Sequence, residues 1–286
     1  MGAMRCASGA GLRAALLVAG AVVAGGVAAS GTQNADAASI LERLHAYLEQ
    51  YEPKLSELVA DEVFDQIRTG ASRDLERRRL VSDFGFLRLP GGDAWLGQRS
   101  VREMDGRRLG SAQRLDDVFA RIGIDIAGEA KAIALGNAVH NLGHPRTMNT
   151  PTLPLELLGR RHAARYVAGA ARPDRIAGRE LLRLDVRERR PGAIIARDAT
   201  SFVTADVRAW IAPGGELVRA IVTMQAPAGR APHRIQVDYA FNAALSLMVP
   251  VRLTESIAGR TSVSGTATYS NYRRFQTSGR LVPPGR

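Results

Sequence analysis

Between positions 203 and 211 apolar and polar side chains alternate, with Val203, Ala205, Val207, Ala209 and Ile211 on one parity and Thr204, Asp206 and Arg208 on the other. A two-residue period belongs to an extended chain with one buried and one wet face. The same texture returns in 217–225, 234–241, 249–257 and 265–275, with short turns such as Ala212-Pro213-Gly214-Gly215 between runs, so 202–275 predicts an antiparallel meander. In 217–225 both parities are partly apolar: Val218, Ala220, Val222 and Met224 stand against Leu217 and Ile221. Such a strand lies in a sheet that is covered on both faces or encloses something. Pro250, near the start of its run, predicts an edge strand or a bulge.

Upstream, 55–68 fits a helix through Leu55, Leu58, Val59 and Glu62 or a strand through Val59, Val63, Phe64 and Ile67, with a strand favoured over 59–67. The runs 80–89 and 95–104 also read as strands, and Asp105-Gly106 is a strong hairpin dipeptide leading into 107–109. The charge-dense 73–79 reads as a turn or an exposed strand start. Two more strands, 164–170 and 181–188, flank a turn at 174–178. The period becomes helical where Ile40, Leu44, Tyr47, Leu48 and Tyr51 form one stripe, opened by the capping-box pair Ser39 and Glu42 and closed by Pro53. It does so again over 115–122 and 126–139, and 154–158 is a short apolar turn of helical character. The sum is an α+β domain: an antiparallel sheet, an amphipathic helix lying on it, and a helical cap inserted at about 115–158.

Composition alters this picture at the ends of the chain. Arg5 and Arg13 precede an uncharged run at 14–29, and Val27-Ala28-Ala29 and Ala35-Asp36-Ala37 both suit a signal peptidase. These features predict a cleaved secretory signal within 1–37, a single domain over 38–280 and a disordered tail at 281–286. The only cysteine, Cys6, precedes the apolar run, so the exported chain is expected to carry neither an acyl anchor nor a disulfide. The formal charge of +11 is almost entirely arginine, since Lys54 and Lys131 are the only lysines. A basic exported protein is drawn to anionic lipid headgroups or acidic envelope polymers. Nucleic acid is excluded as the expected partner because the arginines are scattered, aromatics are few and the chain is read as exported to the periplasm or the medium.

Candidate chemistry is sparse. Asp61, Glu62 and Asp65 crowd one strand, but Asp61 and Asp65 share a face that Glu62 does not, which reads as a charged wet surface. The run Val139-His140-Asn141-Leu142-Gly143-His144-Pro145-Arg146-Thr147-Met148-Asn149-Thr150-Pro151 concentrates imidazole, amide, hydroxyl and guanidinium groups in a loop fixed by two prolines. His140 and His144 have the spacing of a helical zinc pair. Asn141, however, stands where a zinc protease has its general-base Glu, and Gly143 and Pro145 end any helix. A ligand-contacting or gating loop and a hydrogen-bonded structural loop are both open readings. No phosphate loop, dinucleotide fingerprint, nucleophile elbow or metal-spaced cluster is present, so neither enzyme activity, nor a cofactor, nor a metal is expected.

The order of export signal, amphipathic helix, strands, inserted helices and long meander resembles the bacterial lipoprotein-carrier superfamily, which includes the outer-membrane lipoprotein carrier. Val-Asp-Tyr-Ala-Phe-Asn at 237–242, Met-Val-Pro-Val-Arg-Leu-Thr-Glu at 248–255 and Ala-Thr-Tyr-Ser-Asn-Tyr-Arg-Arg-Phe at 267–275 are similar to exported bacterial proteins of that group. The resemblance implies a strongly curved half-barrel whose concave apolar face, lidded by helices, shelters acyl chains. The chain departs from the carriers in its greater length and in the segment 115–158. On this reading Val207, Ala209, Ile211, Ala220, Val222, Met224, Val237, Tyr239 and Leu253 line a groove, with His140, Asn141, His144, Arg146 and Asn149 at its mouth. The implied function is a carrier or sensor of a hydrophobic or acylated ligand. A protein-docking module of the same fold is the alternative, and a metal-assisted hydrolase using His140 and His144 ranks behind both.

Overall fold

The computed structural model describes residues 28–72, 74–88, 95–110, 126–143, 145–189, 195–196, 202–225 and 232–274. Strands β1 (Leu58–Thr69), β2 (Leu75–Arg88), β3 (Trp95–Met104) and β4 (Arg107–Arg108) form one antiparallel meander. A second contains β5 (Tyr166–Ala168), β6 (Arg172–Ile176), β7 (Arg179–Glu188), β10 (Ala205–Ile211), β11 (Leu217–Met224), β12 (His233–Asn242), β13 (Leu247–Ile257) and β14 (Ser262–Arg274). Pairing of β1 with β14 joins the two into an unclosed, curved twelve-stranded antiparallel sheet, ordered β4-β3-β2-β1-β14-β13-β12-β11-β10-β7-β5 with β6 beside β7. The expected α+β half-barrel is therefore the observed fold, and the early strands share a sheet with the late meander. Strands β8 (Ile195–Ala196) and β9 (Phe202–Val203) pair apart from it.

Register explains the core. Residues directly opposite one another in neighbouring strands share a face. Leu80, Phe64, Ala267, Leu253, Val237, Ala220, Ala209 and Leu184 stand opposite one another in sequence across eight strands. All eight are fully buried, so the row is one continuous apolar band on the inner face. Helix α1 (Ala28–Leu55) packs Ile40, Leu44, Leu48, Tyr51 and Leu55 into the same core, as does the six-residue α3 (Leu153–Leu158) with Leu153, Leu155, Leu157 and Leu158. A much smaller cluster of Leu181, Trp210, Ala212 and Ile221 covers part of the other face, consistent with the two-sided pattern of 217–225. There Trp210 donates its Nε1–H to Asp174 at 2.9 Å.

Several boundaries differ from expectation for identifiable reasons. Helix α1 runs upstream of Ser39 and through Pro53. Ser39 is therefore interior, while Pro53 forfeits one i→i−4 hydrogen bond in the last turn and the helix ends at Leu55. Leu75 already belongs to β2. The 174–178 turn is confined to Ala177-Gly178, both at positive φ, because a two-residue hairpin loop is sufficient. The residues before it pair as β6, an outer strand that tolerates Pro173. Arg160–Arg165 form a 3-10 turn, so strand structure begins only at Tyr166. Pro250 lies in an interior strand, not at an edge, and its partner Tyr239 borders a register shift, the bulge that was the other expectation.

The inserted helix α2 (Ile126–Ala138) packs against β3 at the sheet's rim. Its Asn137 imitates a neighbouring strand: Nδ2 donates to the Gly97 carbonyl and Oδ1 accepts the Arg99 backbone N–H at 2.6 Å. This satisfies two groups on a strand that would otherwise offer an open edge. The expected helix at 115–122, all but the last two residues of the signal run at 14–29 and the tail at 281–286 lie outside the described residues.

Two glycine substitutions test this packing in opposite directions. A Cβ on Gly265 would stand 2.6 Å from Phe64 Cε2, whereas one on Gly136 meets nothing within 4 Å. Gly265→Ala is expected to destabilise by about 1–3 kcal/mol. Gly136→Ala, inside α2, is expected to stabilise by about 0.5–1 kcal/mol. Urea unfolding of the two variants beside the parent checks both signs.

Candidate functional site

The nine residues expected to line a groove, Val207, Ala209, Ile211, Ala220, Val222, Met224, Val237, Tyr239 and Leu253, all lie on the inner face and are 5 % exposed or less. They share one core with Leu44, Leu48 and Tyr51 of α1 and Leu155 and Leu157 of α3. Tyr239 donates its hydroxyl to the Pro151 carbonyl at 3.3 Å, which ties this wall to the segment entering α3. The apolar part of the half-barrel is thus occupied by the chain's own side chains.

Towards β1 and β14 the same face turns polar. Arg99 and Glu62 are fully buried and form a bidentate pair, Nε to Oε2 at 2.5 Å and Nη2 to Oε1 at 2.8 Å. Tyr269, opposite Glu62 in the register, donates its hydroxyl to Oε1 at 3.0 Å. The Arg99 guanidinium lies 4.8 Å over the Phe64 ring and also donates to the Asn149 carbonyl at 3.3 Å. Burial alone would lower the Arg99 pKa, but the Glu62 charge and hydrogen bond outweigh it and hold the guanidinium firmly protonated.

A second pair lies beside the first. Glu255 and Gln66 stand on either side of Gly265 in the register, and Arg146 spans the gap. Its Nε donates to Glu255 Oε1 at 2.7 Å, its Nη2 to Gln66 Oε1 at 3.1 Å and its Nη1 to the Leu142 carbonyl at 2.6 Å. His233 donates from Nε2 to Glu255 Oε1 at 2.9 Å, and Asn149 from Nδ2 to Oε2 at 3.3 Å. Burial pushes the Glu255 carboxyl up, yet the His233 hydrogen bond and the Arg146 charge together hold it below its ordinary range. A carboxylate so held and so enclosed is a poor proton donor, so the arrangement suits fastening the loop to the sheet rather than acid–base chemistry.

Of the residues expected at the groove's mouth, Asn141, Arg146 and Asn149 are buried in this network. Asn141 donates to the Arg146 carbonyl at 2.8 Å and accepts from Asn149 at 3.1 Å. His140 is half-buried, and its carbonyl accepts from Arg78 at 3.0 Å. Burial first, then Arg78 and Arg99, hold its imidazole below the usual range. His144 lies outside the described residues. Among the described residues no three His, Cys, Asp or Glu side chains gather as a metal site would require.

The residues that sequence reasoning overlooked are Arg99, Gln66, Tyr269 and His233, together with the inward role of Glu62 and Glu255. A signal was available in strand parity. Glu62 shares its parity with Leu58, Ala60 and Phe64, Glu255 with Leu253, and Arg99 with Trp95 and Val101, all buried. A charge on the apolar parity requires an equally buried partner. Asp61 and Asp65 do lie on the other face, paired with Arg273 at 3.0 Å and Arg79 at 3.4 Å.

No protein-family model and no curated protein matches the chain. Similar solved structures include a domain named for outer membrane lipoprotein sorting from Vibrio parahaemolyticus, with TM-score 0.45 and 11% identity over 86% of this chain and 95% of that one. A DUF1329 family protein from Desulfovibrio piger has TM-score 0.45 and 8% identity over 85% and 93% of the respective chains. A LolA superfamily protein from Nitrosomonas europaea has TM-score 0.35 and 14% identity over 84% and 93%. Likeness at this level is one of layout.

Removing one member of a buried pair strands the other. Arg146→Met is expected to destabilise by about 3–5 kcal/mol. Because the folded Glu255 pKa is depressed, its contribution is complete above the unfolded carboxylate's ordinary value and is lost as pH falls through the lower folded value. Glu255→Gln should therefore lower stability at neutral pH and flatten the acid limb of the stability profile. Thermal melts between pH 3 and pH 7, on the order of the ordinary carboxylate range, check the sign.

Proposed function

We propose that the protein is an exported envelope binding protein whose half-barrel takes up an acyl chain or another amphiphile, as a carrier or a sensor, with α1 and α3 as a displaceable cover. One observation carries the reading: among the described residues, an apolar band eight strands wide is covered by one helix and a six-residue segment rather than by a second sheet. Segment α3 is too short to persist as a helix by itself and holds its place by burying leucines. An acyl tail offers the band the same kind of contact, at roughly 0.8 kcal/mol for each buried methylene. Ten methylenes then contribute roughly 8 kcal/mol, comparable to burying three or four leucines. The basic charge of the chain supports delivery at an anionic membrane surface.

The filled interior favours a second reading, in which the same fold docks an envelope protein through its surface. One set of measurements separates the two. A dansyl-labelled undecanoic acid is expected to bind with saturable fluorescence enhancement, and native mass spectrometry of protein prepared from its own envelope should reveal a bound amphiphile. Leu157→Ala, which loosens α3, should accelerate uptake several-fold. Absence of both signals, with stoichiometric recovery of one envelope protein in a pull-down, would replace the first reading with the second.

A further inference from the structure

Beyond Gln66 the inner-face parity of β1 continues to Arg68, and before Leu80 that of β2 continues back to Arg78 and Glu76. The register sets Gln66 opposite Arg78 and Arg68 opposite Glu76. Arg68, Glu76 and Arg78 reach the rim of the sheet, where with Asn141, Leu142, Gly143 and Thr261 they line an open pocket of about 530 Å³. Arg68 is neutralised there, donating from Nη1 to Glu76 Oε1 at 2.6 Å. Arg78 is not: its Nη1 reaches only the neutral His140 carbonyl, and no described carboxylate lies within ion-pairing distance of it. The Nε–H groups of Arg68 and Arg78 are both buried without an acceptor. Behind the pocket, Arg146, Gln66 and Glu255 satisfy one another and supply no spare negative charge.

A pocket with one cation in excess and two guanidinium donors left without acceptors lacks an acceptor of opposite charge. The geometry points to this pocket as a binding site for a single anionic group, a phosphate or a carboxylate, with Arg78 as its principal partner and Arg68 as its second. The anion site stands on the guanidiniums alone. Its identification with the head of an amphiphile rests on the proposed function, since the pocket lies on the rim of the face whose interior carries the apolar band.

Isothermal titration of the purified protein with inorganic phosphate, octyl phosphate, octanoate and octanol tests both parts separately. Phosphate is expected to bind weakly but saturably, and Arg78→Gln should weaken it about tenfold, the scale of losing a charge-assisted hydrogen bond. Glu76→Gln should strengthen it, because Arg68 is then released from its carboxylate. A merely structural role for these residues predicts no such gain. Tighter binding of octyl phosphate than of octanoate identifies a phosphoryl headgroup as the source, and the reverse order a free fatty acid. If no anion binds, or Arg78→Gln binds phosphate and octanoate as tightly as the parent, the site is overturned. Octanol binding as tightly as octyl phosphate, indifferent to Arg78, removes the anion site and leaves amphiphile binding intact. Arg78-dependent phosphate binding with no gain from the octyl chain keeps the anion site and counts against the acyl reading.

Discussion

A twelve-stranded sheet that, among the described residues, has no second sheet packed on its inner surface must find another cover for it, and the rest of the molecule follows from how it does so. Water cannot remain on a band of Leu80, Phe64, Ala267, Leu253, Val237, Ala220, Ala209 and Leu184 without a large free-energy cost. The chain supplies α1 from one side of the sheet's sequence and α3 from the insertion between β4 and β5. The β1–β14 ladder is what makes the band continuous, because it joins strands from the two ends of the chain. Contacts of such sequence separation form late and at high loop-closure cost, so the cover and the sheet depend on one another.

The insertion uses a different chemistry where it meets β1, β3 and β13. A leucine-lined plug like α3 could slide along an apolar band, since dispersion contacts have little directional preference. Arg146 between Glu255 and Gln66, and Asn149 between Arg99 and Glu255, cannot slide without leaving charges unpaired. Buried ion pairs add little net stability because desolvation offsets most of their attraction, but they penalise every misplaced arrangement. Gly265 and Gly97 belong to the same device: each leaves room for a phenylalanine ring, Phe64 or Phe84, against which the charged groups pack. One end of the interior is therefore fixed in register while the other is only filled.

That division also explains what could be read from the sequence. Strand period, the Asp105-Gly106 hairpin and the helical stripe from Ile40 to Tyr51 are local signals, and the elements they predict are present. Element ends were less legible. A capping box at Ser39 marks a start only if the preceding residues leave the helix, and Ala28–Ala38 do not. Asp174–Ile176 look like turn residues, yet they pair because β7 offers them an open ladder. The loop 139–151 was conspicuous for its composition, but its partners come from strands up to 109 residues away, as with Arg146 and Glu255. Parity identifies which charges point inward; only the register says which of them meet.

The contrast between the two ends bears on what the fold can hold. A ligand bound by apolar contact alone has no preferred direction along the band, because each methylene contributes the same amount wherever it lies. Direction requires a polar feature at one end and its absence at the other. The Arg99–Glu62 and Arg146–Glu255 pairs are closed on themselves and cannot supply it, since each guanidinium already has its carboxylate. Arg78 lies one rung beyond them, opposite Gln66 and at the edge of the same face, without a carboxylate of its own. An amphiphile entering the half-barrel would thus meet an apolar interior, a polar wall whose guanidiniums already hold carboxylates, and at the rim Arg78, which among the described residues has no carboxylate partner. On the proposed function, that order would orient a charged head outward and a tail inward without any specific recognition of the tail.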